Sequence, residues 1–213
     1  MDFLTKYGIT IKNQELLKKA LTHSSLANEE KSESYERLEF LGDAVLELAT
    51  SEYFYLHSSL KEGDMSKTRA SYVCENALYE YSKEIGLIEH IRTGNGVPQN
   101  TVSIVADCFE SVLAVIFLEH GFSAAKKFAL NIIVPYIESN HEFIHDSKSY
   151  LQEMVQTSKK SVSYEIISES GPSHDKTFVV HALVDGLVFG IGTGKSKKEA
   201  EQNAASDAIK KMA

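Results

Sequence analysis

The spacing of apolar residues changes period once along this chain, and that change constrains the fold more than any other feature. Up to about residue 140, apolar positions recur at helical intervals in "NQELLKKALTH", "ESYERLEFLGDAVLELATSEYFYLH", "DMSKTRASYVCENALYEYSKEIG", "TVSIVADCFESVLAVIFLEHG" and "SAAKKFALNIIVPYIESN". Gly8, Gly63, Gly86, Gly94, Gly96 and Gly121 punctuate them. No alternating run of any length interrupts the pattern, which predicts an all-α domain over residues 1–145. A short polar hinge, "HDSKSY", follows. Then come a short helix, "SYLQEMVQTSKK", three strand-like runs, "VSYEIISES", "KTFVVHALVD" and "LVFGIGTG", and a last helix, "SKKEAEQNAASDAIKKM". A Gly-Pro turn in "SGPSHDK" and a tight Asp185-Gly186 turn join the strands. Ser196, with Glu199 three residues on, opens the last helix as a capping box. Residues 148–213 are therefore expected to form an α-β-β-β-α domain, and the whole chain is a two-domain protein.

Composition bears on what these domains can do. At 43% apolar residues in 213, each has material for a packed core. The net charge of −8 is awkward for a nucleic-acid binder taken whole. It is unevenly spread: residues 1–147 carry 13 basic and 22 acidic side chains, residues 148–213 carry 9 and 8. An acidic front and a near-neutral, lysine-clustered back imply different tasks. Cys74 and Cys108 lack metal-type spacing and sit in apolar-periodic segments, so they read as reduced thiols. The N-terminal stretch has neither the basic nor the apolar region of a signal peptide, and acids break the longest apolar run. The expectation is a cytoplasmic protein with no membrane span.

Within "SYERLEFLGDAVLEL", Glu36, Glu39, Asp43 and Glu47 fall within roughly 80° of helical arc. Like charges three and four apart destabilise a helix by about 0.2–0.5 kcal/mol per pair. Arg37 points to another side of the helix, and no lysine or arginine follows until Lys61, so the acids lack a neighbouring positive charge. A second acid site is sharper still. Between Thr93 and Leu118 the charged residues are Asp107 and Glu110 alone, three apart on a helix that must be largely buried. A buried lone carboxylate costs several kcal/mol unless it is paired, hydrogen-bonded or bound to metal. One reading is a pair of core carboxylates held by backbone or arginine. The favoured one places the pairs Glu39/Asp43 and Asp107/Glu110 on facing helices around hard cations, and an all-oxygen donor set suits Mg²⁺ or Mn²⁺ rather than zinc. The letters "HEFIH" (His141 to His145) match a zinc-peptidase motif, but they sit beside the hinge with no third ligand downstream, and read better as surface histidines near a helix end. His23 reads as a structural, hydrogen-bonded histidine.

"YERLEFLGDAVLEL" closely resembles the signature of the ribonuclease III family, and "VADCFESVLAVIFLEHG" resembles that family's second acidic helix. "ALTHSSLANE" and "KEGDMSKTRASYV" match two further family segments in order, and residues 148–213 resemble its C-terminal double-stranded-RNA-binding domain. The resemblance spans nearly the whole chain. It implies that Glu39, Asp43, Asp107 and Glu110 bind Mg²⁺, with Mn²⁺ able to substitute, and that Asp43 and Glu110 are central to catalysis. It implies supporting roles in the cleft for Glu36 and Glu62. It implies a homodimer through the signature helix, and hydrolysis of double-stranded RNA to 5′-phosphate and 3′-hydroxyl ends with two-nucleotide 3′ overhangs. Ribosomal, messenger and transfer RNA precursors and small RNAs are the expected substrates. No family role is carried onto Glu47, which reads as an exposed acid or an ion-pair partner.

Three regions of the second domain match the family's RNA-contacting surface: Gln152 and Glu153 on the first helix, His174 in the "GPSHDK" loop, and Lys195, Lys197 and Lys198 before and within the last helix. Lysines at a helix N-terminus oppose the helix dipole, and a bound phosphate reverses that penalty. Such modules read A-form shape rather than sequence. Two departures stand out. The stretch "VPQNTVSIV" before Asp107 lacks the basic residues of many relatives, and Tyr35 stands where Asn is common. The competing reading is a non-catalytic double-stranded-RNA binder on the same fold. Degenerate nuclease domains should lack at least one of the four acids, and all four are present here.

Overall fold

The computed structural model describes residues 2–143, 147–156, 160–172 and 176–212. The chain forms two compact units, Met1–Phe143 and Ile144–Ala213. The first is helical: α1 (Asp2–Thr5), α2 (Gln14–Ala20), α3 (Ser24–Glu30), α4 (Glu36–His57), α5 (Glu62–Tyr72), α6 (Glu75–Ile85), a 3₁₀ turn at Ile88–His90, α7 (Val102–His120) and α8 (Phe122–Glu138). The nearly uncharged segment becomes α7, which runs through the core and packs against α4, α6, α8 and α2. Its apolar residues from Ile104 to Ile116 are buried on all sides, as a helix apolar around its circumference must be.

Two local features differ from the sequence expectation. The segment Asp64–Gly86, read as one periodic stretch, is two helices. Cys74 turns extended (φ −75°, ψ 160°), and its thiol donates to the Ser71 carbonyl at 3.3 Å, so α5 ends and α6 starts anew. The segment "SSLANEE" forms α3, capped by His23, whose ring nitrogen accepts the Ser25 N–H at 3.2 Å. That is the structural, hydrogen-bonded role expected for His23. Cys74 and Cys108 are free thiols, and burial pushes the Cys108 thiol up.

The second unit comprises α9 (Ser147–Gln156), β1 (Val162–Ser170), β2 (Thr177–Val184), β3 (Leu187–Gly194) and α10 (Lys197–Met212), with an antiparallel sheet in the order β1-β2-β3. Asp185 and Gly186 both take positive φ (48° and 79°), the mirror-type turn that suits a two-residue hairpin. One face of β2, namely Phe178, Val180, Ala182 and Val184, packs with Leu151 and Val155 of α9 and with Ala200, Ala204, Ala205 and Ala208 of α10. The helix lies so close to β3 that a Cβ at Gly190 or Gly192 would come within 2.1 Å of α10 backbone. The alternating glycines of "FGIGTG" and the alanines of α10 thus form one small-residue seam. Ser196 Oγ accepts the Glu199 N–H (3.1 Å), while the Glu199 carboxylate reaches back to the Lys195 N–H (2.6 Å), one residue earlier than in the usual reciprocal box. Among the described residues, no helix is long and apolar enough to cross a membrane.

Candidate active site

Each acid owes its place to one of two helices. On α4 the side chains divide into three faces. Leu38, Gly42, Val45, Leu46 and Ala49 are buried in the core. Glu39 and Asp43 lie on a second face, and Phe40, Leu48 and Tyr55 are exposed on a third, at 82%, 57% and 76%. At 100° per residue the third face lies on average about 130° round the helix from Glu39 and Asp43. Opposite α4, α7 contributes Asp107 and Glu110 one turn apart. Gly42 lets the two helices close against each other at the level of these acids.

Carboxylate oxygens of Glu39, Asp107 and Glu110 all lie within 4.8 Å of one another. Asp43 is not part of that close set. It is exposed, one turn along α4, and acts on the cluster through its charge, which raises both Glu110 and Glu39. Glu36 is exposed at the start of α4 and raises Glu39 in the same way. Glu62 is not brought to the cluster. It opens α5, accepts from Ser66 Oγ at 3.2 Å, and lines a hollow with Ser51, Phe54, Tyr55, Met65 and Arg69. Glu47 is an ion-pair partner, 3.6 Å from Arg69.

Burial dominates the electrostatics of the cluster. It pushes Glu110 up to about 8, with Asp43, Asp107, Glu39 and Glu47 adding to the rise. Glu39 is raised by burial, then by Asp107, Glu36 and Asp43. Asp107 is raised by burial and by Glu75, and held back by the Tyr35 hydroxyl and by His23. Among the described residues, no lysine or arginine forms an ion pair with Glu39, Asp43, Asp107 or Glu110. Three half-buried carboxylates facing one another without a basic partner are what a hard divalent cation requires: oxygen donors, excess negative charge and shelter from water. The donor set therefore fits Mg²⁺ or Mn²⁺. The alternative of core acids held by arginine finds no arginine there among the described residues.

A ribonuclease-III-like domain model matches residues 13–137, and the double-stranded RNA binding motif matches residues 147–212. The chain is 43% identical over 211 residues to the ribonuclease 3 of Onion yellows phytoplasma, spanning 97% of this chain and 88% of that one. The chain belongs to the ribonuclease III family. With that family's nuclease domain and RNA-binding motif together, it is a double-stranded-RNA endoribonuclease, of a divalent-metal-dependent class. It is 44% identical to the ribonuclease 3 of Oceanobacillus iheyensis over 213 residues, 95% of this chain and 93% of that one. The nuclease domain of ribonuclease III from Campylobacter jejuni superposes with a TM-score of 0.58 at 37% identity, covering 62% of this chain and 94% of that one.

In the binding domain of this ribonuclease III family member, Lys195, Lys197 and Lys198 are exposed around the start of α10. Lys195 Nζ lies 3.5 Å from Thr177 Oγ1, and Lys197 Nζ lies 5.9 Å above the Phe178 ring. Lys176, which the sequence reading passed over, pairs with Glu169 beside them. Gln152 is exposed on α9. Glu153 lies in α9, with its side chain outside the described residues, and His174 lies outside them altogether. His141 and Glu142 are not on a helix: His141 packs its ring on Tyr136 and Phe143 beyond the end of α8, and His145 lies outside the described residues. The zinc-peptidase pattern therefore lacks the helical face it needs. What sequence reasoning missed at the acid cluster is Tyr35, whose hydroxyl donates to Asp107 Oδ2 at 2.8 Å. Its signal was an aromatic residue directly before the acidic helix.

Proposed function

We propose that this protein hydrolyses the phosphodiester bonds of double-stranded RNA using Mg²⁺, which Mn²⁺ can replace, and leaves 5′-phosphate and 3′-hydroxyl ends with two-nucleotide 3′ overhangs. The observation that carries the reading is the convergence of Glu39, Asp107 and Glu110 within 4.8 Å without a basic partner among the described residues. These three supply the oxygen donors, with Asp43 as a fourth acid beside them and Glu36 adding negative charge at the start of α4, while Glu62 stands apart from them on α5. Glu110 and Asp43 are the pair on which catalysis depends most. When bound, divalent cations in such a cage activate water and neutralise charge on the scissile phosphate and leaving oxygen. Without cations the same acids repel the RNA backbone, so cleavage depends strictly on them.

RNA is held by the second domain, residues 148–213, with Gln152, Glu153 and His174 addressing minor grooves and Lys195, Lys197 and Lys198 addressing phosphate. The nuclease domain, residues 1–145, pairs with a second copy through the exposed Phe40, Leu48 and Tyr55 face of α4. Support for pairing comes from the Campylobacter jejuni nuclease domain, a region of which is described as involved in dimer formation. Working in the cytoplasm, the enzyme processes ribosomal, messenger and transfer RNA precursors and small RNAs. The deciding experiment incubates purified protein with long double-stranded RNA, with and without Mg²⁺, and sizes and end-maps the products. Discrete fragments with 5′-phosphates and two-nucleotide 3′ overhangs, formed only with metal, are expected. Binding without cleavage would instead establish a non-catalytic binder.

A further inference from the structure

We infer that Tyr35 is a positioning residue for the metal centre: its hydroxyl fixes the rotation of the Asp107 carboxylate so that Asp107 is presented to Glu39 and Glu110. The inference rests on the metal-site reading above and adds to it a residue outside the acid set. Tyr35 immediately precedes α4, and its own backbone is held from three sides. Its N–H donates to the Thr22 carbonyl at 3.0 Å. Its carbonyl accepts from Leu38 (2.7 Å) and Glu39 (3.0 Å), the first turn of α4, and from Ser111 Oγ of α7 at 3.4 Å. The residue is only 3% exposed, and the His23 ring lies 5.8 Å away, tilted against it.

A side chain so enclosed does not swing, and its hydroxyl ends 2.8 Å from Asp107 Oδ2. Among the described residues that is the one hydrogen bond donated to the Asp107 carboxylate. Tyr35 therefore spans the two acid-bearing helices, from the first turn of α4 to the middle of α7. The span matters because Asp107 faces Glu39 and Glu110, and an unrestrained carboxylate would turn away from like charge. A phenol suits the task. It donates a hydrogen bond without bringing positive charge, so it orients the carboxylate and leaves the charge of the cage for a cation, as ligand-orienting groups outside metal sites do. The contrast with Tyr81 is informative: that core tyrosine satisfies its hydroxyl on a backbone carbonyl, Tyr72 at 3.1 Å, and touches no acid of the cluster.

The test uses the full chain and Mn²⁺ as the probe. Calorimetric titration without RNA compares wild type, Glu110→Gln, Tyr35→Phe, Asp107→Asn and the double variant Tyr35→Phe/Asp107→Asn, with melting recorded in chelator. Tyr35→Phe keeps the ring and removes the donor. Its Mn²⁺ affinity is expected to fall about tenfold. The Mg²⁺ needed for half-maximal cleavage is expected to rise by the same factor, most of the lost cleavage returning at high Mg²⁺. In the Asp107→Asn background the same change should add little, because Tyr35 acts through Asp107. A purely structural tyrosine would lower melting in chelator and leave the metal affinity of the folded protein alone, and that outcome overturns the inference. If wild type binds Mn²⁺, Glu110→Gln loses it and Tyr35→Phe does not, this inference alone falls. If wild type binds no Mn²⁺ even at millimolar concentration, the metal centre falls and takes the inference with it.

Discussion

Gly42 of α4 meets Glu110 of α7 so closely that a Cβ at Gly42 would sit 1.8 Å from the Glu110 carbonyl oxygen. The two acid-bearing helices touch at this point, and a side chain there would push apart the two halves of the cluster. Overpacking usually costs about 1–3 kcal/mol, and rigid helix backbone on the far side puts Gly42→Ala at the upper end. The variant should melt well below wild type. Whatever remains folded should need more Mg²⁺ for cleavage, since Glu39 and Glu110 would sit further apart. A variant with wild-type melting and metal dependence would show that the close approach is not maintained in solution.

Glu110→Gln removes one negative charge from the cage while keeping size and hydrogen-bonding capacity. Cleavage should fall by orders of magnitude at low Mg²⁺, because water activation and leaving-group stabilisation fail together. Affinity for double-stranded RNA should survive, since the lysine cluster belongs to the other domain. Melting in chelator should not fall, because a buried amide is cheaper than an unpaired buried carboxylate. Cleavage rates and RNA affinities across a metal titration decide it, and near-normal cleavage at low Mg²⁺ would remove Glu110 from the site.

The same residue predicts how stability depends on pH. Burial raises Glu110 from its ordinary 4.5 to about 8 in metal-free protein, and raises Glu39 and Asp107 in the same direction. Between those two pH values the folded state holds protons that the unfolded chain has lost. The contribution of these groups to stability therefore falls as pH rises through the window. Glu33, Glu119, Glu169 and Asp207 shift the other way, and their contribution is lost only on acidification below the ordinary carboxylate range. Melting in chelator should drop between about pH 5.5 and pH 8.5, more steeply in wild type than in Glu110→Gln. Mg²⁺ should raise melting most at the alkaline end, where its ligands are deprotonated.

Lys197→Ala with Lys198→Ala should weaken RNA binding and reduce its log–log salt dependence by about one to two units, the signature of lost phosphate contacts. Filter binding across a salt series measures this. An unchanged slope would mean that the exposed start of α10 does not touch phosphate.

Phe40→Ser removes the most exposed large apolar side chain of α4. If that face pairs two copies, sedimentation should show the full-length variant dissociating at concentrations where wild type is dimeric. Equal dimer stability in the two proteins would place the interface elsewhere.

Sequence alone determined the helical first domain, the α-β-β-β-α second domain and the four acids as candidates. Each depends on short-range pattern: apolar period, turn dipeptides, and charge where a buried helix should have none. Asp107 and Glu110 were legible because they break an otherwise uncharged α7, and the exposed lysines because they open α10 against its dipole. Only the tertiary structure decided which acids meet. Glu39 joins Asp107 and Glu110 while Asp43 stays one turn away, because the crossing of α4 on α7 at Gly42 sets which turns face each other. It also decided that Cys74 breaks a continuous periodic stretch, that Phe40 points outward from an acid-rich helix, and that Tyr35 reaches Asp107 across 72 positions of sequence. Local periodicity specifies a helix and its apolar face. The rotation and depth at which two helices dock depend on side-chain volumes from several elements at once, and no single segment encodes them.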